Sequence, residues 1–203
     1  MMALGLWCIL GYLSGSVMYA HLLAKTARVD LRAVGDGNPG AFNLWQAAGW
    51  RYGLLAVILD FLKGFVPVVV CLQTGFIHPD DPALIPVAAA PVLGHLFSPF
   101  LRFSGGKGIA VTFGVWSALT AFEVTLVYAV ILAVMLVAGR ALNGWRPVSS
   151  EADSFQVVIG MLAVSVWLHQ AYPAAIFWGW CANIALMIWA HRTGLRVFLK
   201  KWI

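Results

Sequence analysis

Long apolar runs separated by short polar stretches organise the chain from end to end. Residues 3–24 read as a first spanning helix, interrupted by Gly11, Gly15 and Ser16, small residues that allow close helix contact. A polar loop at 25–51 follows, then a second span at 52–72. The connection at 73–82 carries Asp80 and Asp81 and no Lys or Arg, and a third span covers 83–100. Strand-type alternation is absent, so the runs are expected to be helices and not barrel strands. Residues 109–138 are apolar around a single acidic residue, Glu123. One long helix would bury that carboxylate, so two short helices turning at Ala121–Glu123 are expected. Each would rise only about 22 Å, short of the ~30 Å hydrocarbon core, with little tilt or local thinning. Residues 139–154 are polar again. Spans at 155–169 and 174–190, joined by His169–Pro173, close the bundle ahead of a basic tail at 191–203. The expected fold is an all-α polytopic transmembrane helix bundle of about seven spans. It is expected to form a single membrane domain over 1–203, with polar loops at 25–51, 101–108 and 139–154.

Charge orients that bundle. Every Lys and Arg except Lys63 lies in loop 25–51, the stretch 101–108, loop 139–154 or the tail. The alternate connections hold Asp80, Asp81 and Glu123 and no basic residue. By the positive-inside rule the N-terminus is expected outside and the C-terminus in the cytoplasm. A single crossing by 109–138 would split the basic loops between two sides, which supports the hairpin. The expected location is the inner (cytoplasmic) membrane, with the polar loops facing the cytoplasm. Trp7, Trp50, Trp145, Trp189 and Trp202 sit near span ends, as interfacial anchors do.

Composition agrees: 62% of residues are hydrophobic and 10% charged, against about 25% charged in soluble domains. The net charge of +5 suits anionic headgroups or phosphorylated ligands, and nothing calls for nucleic acid. Cys8, Cys71 and Cys181 are odd in number and lack metal-ligand spacing, so they read as small buried side chains. The first apolar stretch lacks a basic leader and reads as a retained helix.

Candidate chemistry gathers in four places. His95 to Gly108 joins a histidine, an arginine, a lysine and the adjacent Gly105 and Gly106. One reading is a phosphate cradle of backbone N–H groups, a helix start and Lys107. The other is a glycine hinge with an interfacial lysine reaching lipid phosphates. Ser104–Gly108 is not a Walker A loop, because the preceding glycine and following Ser/Thr are missing. Gly35 to Asn43 is either an anion-binding turn or an ordinary Gly/Asn/Pro turn. Asp60 and Lys63, three residues apart, share a helix face and can pair, as structure or as support for a site. Ser149, Ser150 and Ser154 can donate to a phosphate or cap the next helix. His21, His78, His169 and His191 lack ligand spacing, so no metal is assigned.

The order of these motifs resembles the bacterial acyl-phosphate:glycerol-3-phosphate acyltransferase family, the PlsY-type membrane enzymes. The matching residues are Gly11-Tyr-Leu-x-Gly15-Ser16, Asp30-x-Arg32, Gly35-x-Gly37-Asn38-x-Gly40-Ala41-x-Asn43, Asp60-x-x-Lys63-Gly64, Gly94-His95-x-Phe97 and Phe103-x-Gly105-Gly106-Lys107-Gly108-x-Ala110. They cover residues 11–111, and Arg146-x-Val-Ser149 matches a third motif loosely. The resemblance implies transfer of a fatty acyl group from acyl phosphate to the 1-hydroxyl of glycerol 3-phosphate, giving lysophosphatidic acid for phospholipid synthesis without a metal or other cofactor. It makes Lys107 and His95 the catalytic candidates. Gly37, Asn38, Gly40, Asn43, Gly105, Gly106, Ser149 and Ser150 are the expected substrate-binding residues, with acyl phosphate, glycerol 3-phosphate and membrane lipids as partners. The general base is a substrate phosphate or His95.

This chain departs from the family pattern at three positions: Asp36 stands for a serine, Phe42 for a threonine and Gln46 for an arginine. A closing Asn-Ile-x-Arg run is also missing, unless Asn183-Ile184 supplies part of it. Losing a cation and gaining a carboxylate both oppose phosphate binding. The alternatives are therefore a relative with another acyl acceptor and a non-catalytic membrane lipid-binding protein. No inverted repeat points to a transporter, and the His-x4-Asp arrangement of thioester-dependent acyltransferases is absent.

Overall fold

The computed structural model describes residues 2–201; the expectation for Trp202 lies outside them. Among the described residues the regular structure is helical, with no strand. The helices are α1 (Met2–Ser16), α2 (Tyr19–Ala27), α3 (Ala41–Ala48), α4 (Trp50–Gln73), α5 (Leu84–Leu96), α6 (Ile109–Leu119), α7 (Glu123–Leu142), α8 (Ser150–Ala171) and α9 (Ala174–Lys200). Short 3-10 turns lie at Leu31–Ala33 and Pro99–Leu101. Six stretches are long and apolar enough to cross a membrane, with Ile109–Leu119 as a shorter apolar helix. The chain is thus a multi-pass integral membrane bundle.

Several boundaries differ from the sequence expectation. The first span breaks at Val17–Met18 into α1 and α2. Such a break leaves carbonyls without helical partners, which is costly in an apolar setting. Two distant side chains satisfy them: Ser98 Oγ donates to the Ser16 carbonyl at 2.7 Å, and Lys63 Nζ donates to the Val17 carbonyl at 2.6 Å. Lys63 also pairs with Asp60 at 2.8 Å, both side chains being almost wholly buried. The Asp60–Lys63 pair therefore supports the broken first span. Gly15 and Ser16 immediately precede the break, but the groups that satisfy it come from α4 and from the residues after α5.

The run 109–138 does turn after Leu119, with Ala121 and Phe122 at positive φ. The two helices are unequal, however. α6 has 11 residues and α7 has 20, so α6 rises only about 16 Å. Glu123 is exposed at the turn and accepts the Tyr172 hydroxyl. Loop 25–51 contains α3, whose Asn43 and Leu44 point inward while Phe42 and Trp45 are exposed. Residues 191–200 are not a separate tail, since α9 continues through them to Lys200.

Packing is most extensive for α4 on α6, α1 on α5 and α8 on α9. A Cβ on Gly64 would overlap the Val111 carbonyl oxygen, and one on Gly114 would overlap that of Phe61. These small residues let the α4 and α6 backbones touch. The core centres on Trp116 and Trp180, edge to face at 4.7 Å, with Tyr128 5.8 Å from Trp180. Their polar atoms are satisfied: Trp116 Nε1 donates to Asn183 Oδ1 (2.9 Å), Trp180 Nε1 to the Met161 carbonyl (3.0 Å) and Tyr128 Oη to that of Val157 (3.0 Å). Among the tryptophans expected at span ends, Trp50, Trp145 and Trp189 are exposed and Trp7 is half-buried.

Candidate functional site

The breakpoint of the first span helps to seat the glycine stretch. Ser98, fully buried, accepts the Phe103 N–H on its carbonyl at 2.8 Å while its hydroxyl reaches Ser16. Arg102 and Phe103 follow at positive φ and reverse the chain. It then returns along the end of α5, where the Gly105 N–H donates to the Leu96 carbonyl at 3.0 Å and the Gly106 N–H to the His95 carbonyl at 3.2 Å. These two amides close the C-terminal end of α5, whose last carbonyls lack helical partners. They are therefore turned toward the protein, whereas the sequence pattern alone allowed them to face an anion. A Cβ on Gly106 would overlap His95 Nε2, which explains how closely the strand of glycines lies on that ring. Gly108, at φ +82°, starts α6.

The first polar loop is built to meet this stretch. Asp30 accepts the Arg32 N–H and begins the 3-10 turn. The Arg32 guanidinium then donates to the Gly37 carbonyl (3.2 Å), the Ser104 carbonyl (2.7 Å) and Ser104 Oγ (3.0 Å). Asn43 turns its amide into its own loop, donating to the Val34 carbonyl, Asp36 Oδ1 and the Asn38 carbonyl at 2.8 to 3.0 Å. Gly37 adopts φ +71°, a conformation that favours glycine. The third contribution comes from the start of α8. Ser149 caps that helix by accepting the Ala152 N–H, leaving Ser150 to face the other two segments.

The segments enclose a cavity of about 390 Å³. Asp36, Asn38, Ser104, Gly105, Gly106, Lys107 and Ser150 supply one side. Trp189, His191, Arg192 and Gly194 of α9 supply another, with Leu96, Phe97, Phe103 and Val197 as apolar lining. Lys107 Nζ lies 2.7 Å from Asp36 Oδ2 and donates to Ser150 Oγ at 3.1 Å; Ser150 Oγ donates in turn to Asp36 Oδ2 at 3.2 Å. Asp36 Oδ1 accepts the Asn38 N–H (3.1 Å) and the Asn43 amide (3.0 Å). Partial burial pushes the Asp36 carboxyl up, but Lys107 and these hydrogen bonds outweigh it and hold the group down at about 2.

Of the expected substrate-binding and catalytic residues, Asn38, Gly105, Gly106, Lys107 and Ser150 line the cavity. Gly37, Gly40, Asn43, Ser149 and His95 do not line it. His95 is 3% exposed, and its Nδ1 meets no hydrogen-bond partner. His191, not selected from the sequence, does reach the cavity. It is 2% exposed, its ring lies against the Lys107 backbone, and Asp36 and Lys107 lie within electrostatic reach. The available signal was its place as an ionisable residue near the end of the last apolar run, which had singled out His95. Asn183 cannot complete a phosphate site. It is buried between α6 and α9, accepting from Trp116 and donating to Thr112 Oγ1 at 3.2 Å. Among the three departures, Phe42 is 67% exposed on α3, and Gln46 is exposed and outside the cavity lining; only Asp36 enters it.

Fold and site together define a polytopic membrane protein with a polar cavity walled by residues from separate segments. The chain belongs to the glycerol-3-phosphate acyltransferase family, whose model matches residues 5–201. It is 40% identical over 195 residues to glycerol-3-phosphate acyltransferase 1 of Thermotoga maritima, covering 93% of this chain and 94% of that protein. It is 34% identical over 191 residues to the Aquifex aeolicus glycerol-3-phosphate acyltransferase, covering 94% and 93%. Among solved structures it resembles the glycerol 3-phosphate form of PlsY (YgiH), an integral membrane glycerol 3-phosphate acyltransferase. There the TM-score is 0.84 and the identity 30%, over 98% of this chain and 93% of that one.

Proposed function

We propose that this protein transfers a fatty acyl group from acyl phosphate to the 1-hydroxyl of glycerol 3-phosphate, with both phosphates held in the cavity beside Lys107. Family membership makes the chain a glycerol-3-phosphate acyltransferase. The acyl-phosphate donor and the residue roles are our assignment. The observation that carries them is the convergence of Lys107, Ser150 and Asn38, from three separate segments, on one cavity that α9 closes with His191 and Arg192.

An acyl phosphate is already activated, so no covalent enzyme intermediate is required. The glycerol 3-phosphate hydroxyl oxygen attacks the acyl carbon, the bond from that carbon to the phosphate oxygen breaks, and inorganic phosphate leaves. We assign the hydroxyl proton to a substrate phosphate; the His95 ring is buried and outside the cavity lining. Positioning two anions and stabilising the developing oxyanion supply the acceleration. Leu96, Phe97, Phe103 and Val197 offer apolar surface to the beginning of the acyl chain. The cavity is assigned to the cytoplasmic face of the inner membrane, where the basic loops of this chain gather.

The test is lysophosphatidic acid formation by detergent-purified protein supplied with palmitoyl phosphate, with and without glycerol 3-phosphate. Product that depends on both substrates is expected, and its loss in Lys107→Ala. Acyl-phosphate consumption that glycerol 3-phosphate does not stimulate would indicate another acceptor. No turnover with acyl phosphate under any condition would defeat the donor assignment.

A further inference from the structure

We propose that Asp36 sets the anion selectivity of the site: its Oδ2 occupies the place of a phosphate oxygen beside Lys107, and a substrate phosphate must displace it. This rests on the assignment of the cavity as the phosphate site.

The two oxygens of Asp36 have separate tasks. Oδ1 stays within its own loop, accepting the Asn38 N–H at 3.1 Å and the Asn43 amide at 3.0 Å. Oδ2 leaves the loop and meets Lys107 Nζ at 2.7 Å and Ser150 Oγ at 3.2 Å. An ammonium and a hydroxyl, aimed at one oxygen from two segments, are what a phosphate oxygen would use. Here a side chain of the protein already holds them.

The consequence is a cradle that is preformed and whose lysine is already paired before substrate arrives. Arg32 makes no direct contact with Asp36; its guanidinium donates to the Gly37 and Ser104 carbonyls and the Ser104 hydroxyl. Arg192 lies against Trp189, with its guanidinium 4.3 Å from the ring centroid and donating to the Trp189 carbonyl at 2.6 Å. A singly charged anion would exchange one charge for another at Lys107 and gain little. A phosphomonoester dianion brings a second charge and further acceptor oxygens. The exchange requires only that Oδ2 swing away, since Oδ1 remains tied to the loop. Neutral Asp36→Asn keeps an acceptor oxygen for Asn38 and Asn43 and presents an amide NH2 to Lys107. It therefore removes the competing oxygen without dismantling the turn.

The experiment measures inorganic phosphate binding by calorimetry, and glycerol 3-phosphate kinetics, for detergent-purified wild type, Asp36→Asn, Asp36→Ser and Lys107→Ala. The pair is partly exposed, so freeing Lys107 should tighten phosphate binding about two- to fivefold. KM for glycerol 3-phosphate should fall by a similar factor while kcat changes less. Asp36→Ser should follow Asp36→Asn even if its loop is looser, and Lys107→Ala should abolish phosphate binding. Equal or weaker phosphate binding in both Asp36 variants overturns the proposal. Tighter binding without acyl transfer in any variant upholds it while defeating the assigned reaction. Absence of phosphate binding from every protein, the Asp36 variants included, defeats both.

Discussion

Gly105→Ala probes whether the close approach of the glycine stretch to α5 fixes Lys107. A Cβ at position 105 would overlap the His95 carbonyl oxygen and stand 2.8 Å from that of Leu96. Neither atom can move away easily, because both belong to the backbone at the end of α5. The stretch must therefore lift, releasing the hydrogen bonds from Gly105 to Leu96 and from Gly106 to His95. Two such bonds contribute about 2 kcal/mol together, or roughly 4–8 °C in melting temperature for a domain of this size. Lys107 lies two residues on, so it shifts with the stretch, and a displacement of about 1 Å at a positioning group costs on the order of 100-fold in rate. The assay pairs kcat/KM for acyl transfer with thermal unfolding in the same detergent. Gly5→Ala is the control, since a Cβ there meets nothing within 4 Å. The reasoning is refuted if Gly105→Ala matches wild type in both rate and melting temperature.

Two further outcomes follow from other parts of the structure. Lys63→Met strips Asp60 of its counter-ion and the Val17 carbonyl of its donor, and should cost about 3–5 kcal/mol. Asp60→Leu combined with Lys63→Met should recover much of that loss in thermal unfolding; a double variant no more stable than the single would contradict a burden from unpaired charge. The pH dependence concerns Asp36, whose carboxyl is depressed from 3.8 to about 2. A depressed acid contributes stability that is present above its unfolded value and is lost as pH falls from near 4 toward 2. The ratio of wild-type to Asp36→Asn affinity for sulfate, a dianion throughout this range, should therefore be the same at pH 5 and pH 8. A ratio that collapses at pH 5 would show that Asp36 is already neutral there.

The parts of the fold that were legible in the sequence are those that composition controls. Long apolar runs marked the spans, and Glu123 marked the turn between α6 and α7, because a carboxylate resists burial in lipid. The break between α1 and α2 was hidden, since the apolar run continues through it and its carbonyls are satisfied by Lys63 and Ser98 from elsewhere. α3 was hidden for a different reason: with eight residues and an inward Asn43 it resembles a polar loop. At the site, Lys107 and Ser150 stood out by charge and by polarity beside an apolar run. The inward use of the Gly105 and Gly106 amides did not, because it depends on how closely the chain returns along α5. His191 was passed over for lack of metal-ligand spacing, although the cavity uses it as a wall and not as a ligand set. Of the three replaced motif residues, only Asp36 bears directly on the chemistry, a distinction that burial and direction supply and residue type does not.

The central claim is that glycerol 3-phosphate binds with its phosphate at Lys107. Amine-reactive labelling followed by peptide mass spectrometry tests it within one sample, because Lys107 is 25% exposed while Lys25, Lys200 and Lys201 are exposed lysines outside the cavity. Saturating glycerol 3-phosphate is expected to protect Lys107 and to leave those three labelled as before. Equal labelling of Lys107 with and without glycerol 3-phosphate, under conditions where acyl transfer proceeds, would contradict it.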